Sequence, residues 1–255
     1  MAGMLELHDV SLSFKGVRAL NALSFSVAKG EICALIGPNG AGKSSLLNVI
    51  NGVYRADSGD VVFDGLHFEA IHPQKAAFLG IGRTFQHNAL FRRLSVRENV
   101  LAGLSRHGSA SFIENIFRIG RDGAERREFF ARADRIIAFL GLDRHAEKTV
   151  STLPYGLQKR VDLARALVAE PKLLLLDEPM AGMNQEEKDE MSRVIREVNR
   201  AFGTTVVLIE HDVGIVLSLA SHVVVLDYGR KVADGAPDEV RNNPDVIAAY
   251  LGTVH

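Results

Sequence analysis

The sequence predicts an α/β fold in which a mixed, mainly parallel sheet is flanked by helices. Segments with a helical pattern separate several short apolar runs, as is typical of buried strands in a parallel sheet covered on both faces. The apolar runs are EICALIG (31–37), KLLLLDE (172–178), TTVVLIEH (204–211) and HVVVLDYG (222–229). Near the N-terminus, residues 5–14 and 22–27 alternate between apolar and polar side chains. This alternation adds an antiparallel β subdomain and suggests that the sheet is mixed.

The middle of the chain, residues 87–165, is predicted to be a helical subdomain inserted into the α/β core. No run between about residues 87 and 152 has the pattern of a buried strand. In RREFFARADRIIAFLG, one helical face would carry Phe129, Phe130, Ala133, Ile136, Ile137 and Leu140, and Gly141 would end the helix. Residues 104–125 have no clear period and receive no assignment. Residues 1–86 and 166–255 would form the core of a single domain spanning 1–255.

Composition limits the classes of function open to the chain. Of its 255 residues, 47% are hydrophobic and 24% are charged, which is ordinary for a globular protein with a substantial core. The net charge of −1 excludes a general electrostatic attraction to nucleic acid or anionic lipid. The single cysteine, Cys33, rules out an intramolecular disulfide and is expected to be a buried small hydrophobe. No signal peptide or spanning helix is apparent, so a cytosolic chain is expected.

The segment GPNGAGKS (37–44) matches the phosphate-binding pattern G-x-x-x-x-G-K-[ST]. It follows a predicted buried strand and opens a predicted helix, 43–52, which Gly52 would close. The glycines let backbone N–H groups face a polyphosphate, and the positive end of the helix adds attraction. Lys43 would supply a mobile cation to the β- and γ-phosphates, and the Ser44 hydroxyl would ligate Mg²⁺. The competing interpretation is a glycine-rich turn without a ligand.

An acidic pair follows the apolar run LLLLDE. Asp177 ends the predicted strand, where its carboxylate is placed to hold Mg²⁺ through water. Glu178 comes next and could orient or activate an attacking water. Such a pair is, by itself, more often a solvated strand end. Behind a phosphate-binding loop, the functional interpretation is favoured.

Five motifs in a fixed order resemble the nucleotide-binding subunit of ABC transporters, over essentially the whole chain. They are the phosphate loop (37–44), RTFQ with Gln86, LPYGLQ (153–158), LLLLDEP (173–179) and IEHD (209–212). The resemblance implies an ABC-type P-loop ATPase with ATP and Mg²⁺ as its ligands. The residues implied to contact the nucleotide in and after the phosphate loop are Gly37, Pro38, Asn39, Gly40, Ala41, Gly42, Lys43, Ser44 and Ser45.

The resemblance also implies an aromatic and a histidine in the site. Phe14 resembles the aromatic on which adenine stacks, although its alternation within a strand fits a core residue equally well. His211 resembles the switch histidine that contacts the γ-phosphate, and its plainer alternative is a residue that caps a strand. The implied catalytic residues are then Glu178, His211 and Lys43.

Two further positions correspond to loops of the family. Gln86 resembles the Q-loop residue that senses Mg²⁺ and the membrane subunit, so Gln86 is an implied nucleotide contact and the implied metal ligands are Ser44, Gln86 and Asp177. Asn184, in MAGMN, stands at the D-loop position, where the family usually has Asp. Asn184 also fits an N-cap for the helix QEEKDEMSRVIREV, with Glu187 completing a capping box, and both roles can hold together.

The segment LPYGLQ resembles the signature motif, which in this family closes over the ATP held by the other subunit. A turn before a helix suits that role, because backbone N–H groups at a helix start form an anion site. Contacts to the other subunit's ATP are implied for Pro154, Tyr155, Gly156 and Gln158. The common motif is L-S-G-G-Q, and here Pro154 replaces the serine and Tyr155 the first glycine, while Gly156 remains.

Several features resemble the branch of the family that energises import of branched-chain amino acids and related small polar solutes. These features are the Tyr155-Gly156 pair, DEPMAGMN (177–184), PDVIAAYLG (244–252) and the long stretch after Gln86. The expected function is the ATP-hydrolysing subunit of such an importer.

The branch implies three partners and a location. The partners are a second ATPase subunit, identical or homologous, in a head-to-tail dimer; transmembrane permease subunits; and a periplasmic or extracellular solute-binding protein acting through the permease. The chain would lie peripherally on the cytoplasmic face of the inner membrane and would bind no nucleic acid. Competing functions are an ABC-type ATPase acting on nucleic acid, one acting on ribosomes, and a binding module without turnover, against which Glu178 and His211 argue.

Overall fold

The computed structural model describes residues 3–68, 70–84, 90–104 and 123–251. The strands are Gly3–Phe14 (β1), Val17–Ala28 (β2), Ile32–Ile36 (β3), Ser58–Phe63 (β4), Leu66–Phe68 (β5), Ile81–Arg83 (β6), Leu173–Asp177 (β7), Thr205–Ile209 (β8), His222–Asp227 (β9) and Arg230–Gly235 (β10). The helices are Lys43–Ile50 (α1), Pro73–Leu79 (α2), Val96–Ala102 (α3), Gly123–Phe139 (α4), Tyr155–Leu167 (α5), Gln185–Phe202 (α6), Val213–Leu219 (α7), Pro237–Arg241 (α8) and Pro244–Leu251 (α9). Single 3₁₀ turns occur at Asp143–His145 and Val150–Thr152.

Six strands form a large sheet in the order β10-β9-β3-β8-β7-β6. Neighbours from β9 to β6 run parallel, whereas β10 returns antiparallel beside β9. The α/β class and the mainly parallel sheet are therefore confirmed. The strand that makes this sheet mixed is β10, which follows β9 through the tight turn at Tyr228-Gly229, and not the front strands.

The front strands form a separate antiparallel sheet in the order β2-β1-β4-β5. The strands β1 and β2 match the predicted alternating segments 5–14 and 22–27, and each extends further than its pattern. This sheet confirms the predicted antiparallel β portion.

The large sheet separates two hydrophobic cores. Successive side chains of a strand point to opposite faces, and along β3 Ala34 and Ile36 enter one core while Cys33 and Leu35 enter the other. The second core also takes the inward faces of β1, β2 and β4, so it joins the two sheets. Cys33 is fully buried and free, as predicted, and burial raises the pKa of its thiol.

Helices dominate the described part of residues 87–165. The helix α4 covers most of the predicted segment 126–141, and its predicted inner face is confirmed, since Ala133, Ile136, Ile137 and Leu140 are all buried, with Phe129 and Phe130 packed against the same core. Gly141 leaves the helix at a φ of 66°. The helix α3 packs against α4 and α5. Residues 105–122 lie outside the described residues, and the boundaries of a helical subdomain stay a prediction.

None of the described helices combines the length and the hydrophobicity that a membrane span requires.

Candidate nucleotide-binding site

Three parallel strands bring the predicted site residues to one edge of the sheet. The strand β8 lies between β3 and β7, and Ile209 near its end pairs with both Leu35 and Asp177. Since the strands are parallel, their carboxyl ends meet there. The phosphate loop leaves β3 at Gly37, Asp177 ends β7, and His211 follows β8. Residues distant in sequence therefore converge on one surface.

The phosphate loop needs glycine for two reasons. Gly37 and Gly42 have φ values of 144° and 100°, in the region that other residues rarely adopt. A Cβ at Gly37 would lie 2.0 Å from the carbonyl oxygen of Leu226, and a Cβ at Gly42 would lie 2.4 Å from that of Ala19. Neighbouring strands thus confine the loop. No side chain caps the start of α1, so its first N–H groups are available to an anion.

The remaining residues of the loop differ in exposure. Asn39, Gly40 and Ser44 are exposed, Pro38 and Ser45 are half-buried, and Ala41 is buried. Gly40 has a φ of 82°, so all three predicted glycines take the left-handed region. The exposed Ser44 hydroxyl lies in the first turn of α1, where a metal ion near the phosphates could reach it.

Lys43 folds back on the loop. Its Nζ donates hydrogen bonds to the carbonyl oxygens of Gly37 at 2.6 Å and Pro38 at 2.9 Å. Burial lowers the pKa of Lys43, and the nearby carboxylates of Glu178 and Asp177 oppose that shift. The Lys43 ammonium is therefore held by two carbonyl groups of the loop and lies near the carboxylates of Glu178 and Asp177.

Asp177 has one engaged and one free carboxylate oxygen. Its Oδ2 accepts a hydrogen bond from Arg83 Nη2 at 3.2 Å, and both side chains are buried. Its buried Oδ1 has no hydrogen-bond partner among the described residues. Burial raises the pKa of Asp177, and the Arg83 guanidinium opposes the shift. A buried unsatisfied acceptor is costly, and a cation at Oδ1 would satisfy it.

The donor set fits a magnesium ion that shares its coordination with a substrate. The described residues contain no cluster of three or more His, Cys, Asp or Glu side chains that could hold a metal. Mg²⁺ is commonly bound through one or two protein ligands together with substrate phosphates and water. The free Oδ1 of Asp177 and the exposed hydroxyl of Ser44 match that requirement.

Glu178 adopts a strained backbone conformation beside His211. Its φ is 48°, an unusual value for a residue with a long side chain. Its N–H donates to the carbonyl oxygen of Ile209, which ties the strained residue to the end of β8. Glu178 Oε1 lies 3.8 Å from His211 Nδ1, and His211 is largely exposed. Backbone strain of this kind clusters at functional sites, because only surrounding structure can maintain it.

Two buried charged residues of the site were not predicted. Arg83 joins Asp177 to α1, since its Nη1 donates to Asn48 Oδ1 at 2.7 Å. Glu210 is buried, and its Oε1 accepts the N–H of Met180 at 3.0 Å, which anchors the chain just after Glu178. Burial raises the pKa of Glu210. The only sequence signal was position: Arg83 precedes Gln86 by three residues, and Glu210 directly precedes His211.

Phe14 lies at the end of β1 and is not a core residue. Its side chain is 42% exposed, and its ring meets Tyr54 edge-on with centroids 5.1 Å apart. Phe14 pairs with Val17 across the β1–β2 hairpin. The same hairpin continues to Ala19, whose carbonyl contacts the phosphate loop at Gly42. The exposed Phe14 ring, with Tyr54 packed against it edge-on, offers an apolar surface at this point, and Tyr54 was not predicted.

The signature segment lies at the start of α5. Pro154 precedes the first helical residue, Tyr155 is 43% exposed, and Gln158 Nε2 donates to the carbonyl oxygen of Leu153 at 2.8 Å. A Cβ at Gly156 would lie 2.9 Å from an oxygen of Glu187. The start of α5 at Gly156 therefore packs closely against Glu187 in the first turn of α6.

Asn184 forms the predicted capping box at the start of α6. Its Oδ1 accepts the N–H of Glu187 at 3.0 Å, and the Glu187 carboxylate accepts the N–H of Asn184 at 3.0 Å. One turn further, Lys188 Nζ lies 2.8 Å from Asp212 Oδ2. Asp212 follows His211 and caps α7. The start of α6 thus contacts both the signature turn and the histidine loop. Gln86 lies outside the described residues.

Family models match most of the chain. Residues 20–181 match the model described as ABC transporter. Residues 230–255 match the model described as branched-chain amino acid ATP-binding cassette transporter.

Curated proteins are similar over nearly the full length. The high-affinity branched-chain amino acid transport ATP-binding protein BraF of Pseudomonas aeruginosa is 36% identical over 249 residues, which cover 98% of both chains. Proteins of the same description, named LivG, are 37% identical in Salmonella typhimurium and 36% in Escherichia coli, with the same coverage.

Solved structures share the fold. A crystal structure of the ADP conformation of an ATP-binding cassette of an ABC transporter has a TM-score of 0.88 and 31% identity, and the match covers 99% of this chain and 100% of that one. A dimeric, post-hydrolysis cassette bound to ADP and Pi has a TM-score of 0.75 and 26% identity, with 92% and 99% covered.

Proposed function

This chain belongs to the ABC transporter family of ATP-binding cassettes, and from that premise we propose that it is the ATP-hydrolysing subunit of an importer for branched-chain or related amino acids. The substrate class rests on relatives described as high-affinity branched-chain amino acid transport ATP-binding proteins. One observation carries the hydrolytic role: Glu178, strained at a φ of 48°, lies 3.8 Å from His211 at the edge where the phosphate loop begins.

Binding begins at the phosphate loop. The first N–H groups of α1 hold the phosphates, and Lys43 exchanges its two backbone acceptors for phosphate oxygens. Ser44 and Asp177 would hold Mg²⁺ with Gln86, and the ion would supply positive charge that offsets the negative charge developing on the phosphates. Phe14 would stack on adenine, because an exposed aromatic face fits a planar base.

Hydrolysis uses Glu178 and His211, which follow the ends of β7 and β8. Water attacks the γ-phosphorus, its proton passes to the Glu178 carboxylate, and the bond from the γ-phosphorus to the bridging oxygen breaks. His211, whose Nδ1 lies 3.8 Å from Glu178 Oε1, would donate a hydrogen bond to the γ-phosphate. The anchor between Glu210 and the N–H of Met180 keeps the chain after Glu178 in place.

A second ATPase subunit completes the site. The start of α5, with Pro154, Tyr155, Gly156 and Gln158, would contact the γ-phosphate held by the partner in a head-to-tail dimer. Support comes from the exposure of Tyr155 and from the dimeric form of a related cassette. The D-loop position, Asn184, would lie beside that interface.

The permease would dock beside α2, α3 and α5. A groove there is lined by residues that include Pro73, Ala77, Phe91 and Gly103. Phe91 follows Gln86 by five residues, and the family resemblance implies that Gln86 senses the membrane subunit. This docking would hold the chain peripherally on the cytoplasmic face of the inner membrane, while the solute-binding protein acts from the other side.

The test is reconstitution of the importer. The chain is co-expressed with candidate permease subunits, purified in detergent, and assayed for ATP hydrolysis with and without the solute-binding protein loaded with leucine, isoleucine or valine. We expect co-purification and stimulation by at least one of these amino acids. Association with nucleic acid instead of permease, or hydrolysis indifferent to every amino acid tested, would contradict the proposal.

A further inference from the structure

The Arg83 guanidinium connects the two elements that carry Ser44 and Asp177, two of the three predicted metal ligands. From β6 it reaches Asp177 Oδ2 on β7 at 3.2 Å through Nη2. Through Nη1 it reaches Asn48 Oδ1 on α1 at 2.7 Å. The side chain of Arg83 is 7% exposed, so the contacts are made almost without water.

Asn48 stands one helical turn after Ser44. Residues four apart lie on the same face of a helix, so Arg83 contacts the face of α1 that also carries Ser44. At the other end, Arg83 engages Oδ2 of Asp177 and leaves Oδ1 free. One planar guanidinium, with donors in a rigid fork, thus joins the carboxylate of Asp177 to the helix that carries the Ser44 hydroxyl.

We propose that Arg83 is a positioning residue that holds Ser44 and Asp177 at the separation required for Mg²⁺. This inference rests on the proposed function, since it takes these two residues as metal ligands. A buried ion pair contributes little to net stability when compared with an apolar replacement. The arrangement has its value in orientation, as the groups that orient metal ligands do in other sites.

The test measures nucleotide binding and not turnover. Variants are made in a Glu178→Gln background, so that ATP survives the experiment. The affinity for a fluorescent ATP analogue is determined without Mg²⁺ and then across a Mg²⁺ titration, which gives the Mg²⁺ concentration for the half-maximal effect. Circular dichroism and thermal melting report whether each variant is folded.

Arg83→Gln removes the charge and the fork. We expect it to raise the half-maximal Mg²⁺ concentration roughly 10- to 100-fold, the usual cost of losing an orienting group at a metal site. The affinity without Mg²⁺ should stay within about two-fold, because the phosphate loop and Lys43 supply it. Asn48→Ala, which breaks only the contact to α1, should shift the Mg²⁺ requirement in the same direction by less.

A matched control and a conservative variant separate orientation from general damage. Arg97 also joins two elements through a guanidinium–carboxylate contact, to Asp134 at 2.8 Å between α3 and α4, although this pair is more exposed than Arg83 and Asp177. Arg97→Gln should leave the Mg²⁺ requirement unchanged. Arg83→Lys keeps the charge but cannot reach both acceptors in the same geometry, so we expect a shift of at least about three-fold, smaller than that of Arg83→Gln.

The outcomes distinguish this inference from the proposed function. If the wild-type chain binds the analogue with a clear Mg²⁺ effect and folded Arg83→Gln shows the same Mg²⁺ requirement, the positioning role is wrong and the proposed function stands. If Arg83→Gln does not fold, Arg83→Lys decides, and an unchanged requirement contradicts the role. Absence of any nucleotide binding by the wild type would overturn the proposed function itself.

Discussion

Glu178 combines a strained backbone with a position directly after Asp177, the proposed metal ligand. We predict that Glu178→Gln keeps ATP binding but lowers turnover of the assembled transporter by about 10²- to 10⁴-fold, since a positioned base is lost. Lys43→Ala should instead weaken nucleotide binding, because it removes the cation folded over the loop. Hydrolysis rates and nucleotide affinities for both variants check the assignment. Turnover of Glu178→Gln within a few-fold of wild type would rule out the base.

His222 provides a pH-dependent contribution to stability. Its Nε2 lies 2.6 Å from Asp234 Oδ1, and this contact, with Glu31 nearby, raises the pKa of His222. The contribution is fully present below the ordinary histidine pKa of about 6.5 and is lost as pH rises through the raised folded value. The same contact lowers the pKa of Asp234, so its contribution is lost only as pH falls below about 3.9.

The prediction follows from that window. Denaturant unfolding should show that His222→Asn loses more stability relative to wild type near about pH 5.5 than near about pH 9. His67 offers a control, since it makes a 2.6 Å contact with Asp60 but is largely exposed, and such pairs contribute little. An equal loss for His222→Asn at both pH values would refute the linkage.

At the scale of elements, the contact between the signature turn and α6 makes Gly156 sensitive. Gly156→Asp would set a second carboxylate beside Glu187, and a Cβ alone would lie 2.9 Å from it. We predict that Gly156→Asp nearly abolishes turnover while ATP still binds the phosphate loop. Pro154→Ser should be tolerated, because Pro154 offers neither a hydroxyl nor an N–H and the anion must be held by backbone around Gly156.

A double variant separates the two causes of the loss. Gly156→Asp combined with Glu187→Ala relieves the clash within the chain but leaves the new carboxylate at the position proposed to contact the partner's ATP. Turnover should stay low in the double variant, measured as the ATPase rate of the assembled complex. Recovery would mean that the turn serves only as the support of α6.

Periodicity and motif spacing predicted the elements that bury whole runs of apolar residues. The strands β3, β7, β8 and β9 and the inner face of α4 appeared as expected. The strands β4, β5, β6 and β10 have mixed polarity and lack a continuous apolar run, so pattern alone did not reveal them. Two of them, β4 and β6, also pair with strands that are distant along the chain, β1 and β7.

The residues of the site also fall into those that local sequence predicts and those that it does not. The phosphate loop, Asp177 and the capping box of Asn184 are local in sequence and were predictable. Arg83, Glu210 and Tyr54 act through contacts made only after folding, and no local signal distinguishes a buried arginine that crosses between elements from a surface one. The role of Gln86, which lies outside the described residues, stays a prediction.

At the scale of the whole molecule, the proposed function requires an ATP site that is shared between two ATPase subunits. We predict slow ATP hydrolysis by the isolated chain, with a specific rate that rises with protein concentration and rises further with the permease present. Rates measured over a dilution series check this. Full activity at high dilution, without any dependence on protein concentration, would contradict a shared site.

In the proposed function, ATP hydrolysis by this chain drives amino-acid import. The most direct measurement is uptake of labelled branched-chain amino acids into proteoliposomes that contain the assembled transporter, its solute-binding protein and ATP on the cytoplasmic side. We expect the uptake to depend on ATP and to disappear when this chain carries Glu178→Gln. Uptake that persists with Glu178→Gln in this chain, or ATP hydrolysis without any uptake of these amino acids, would contradict it.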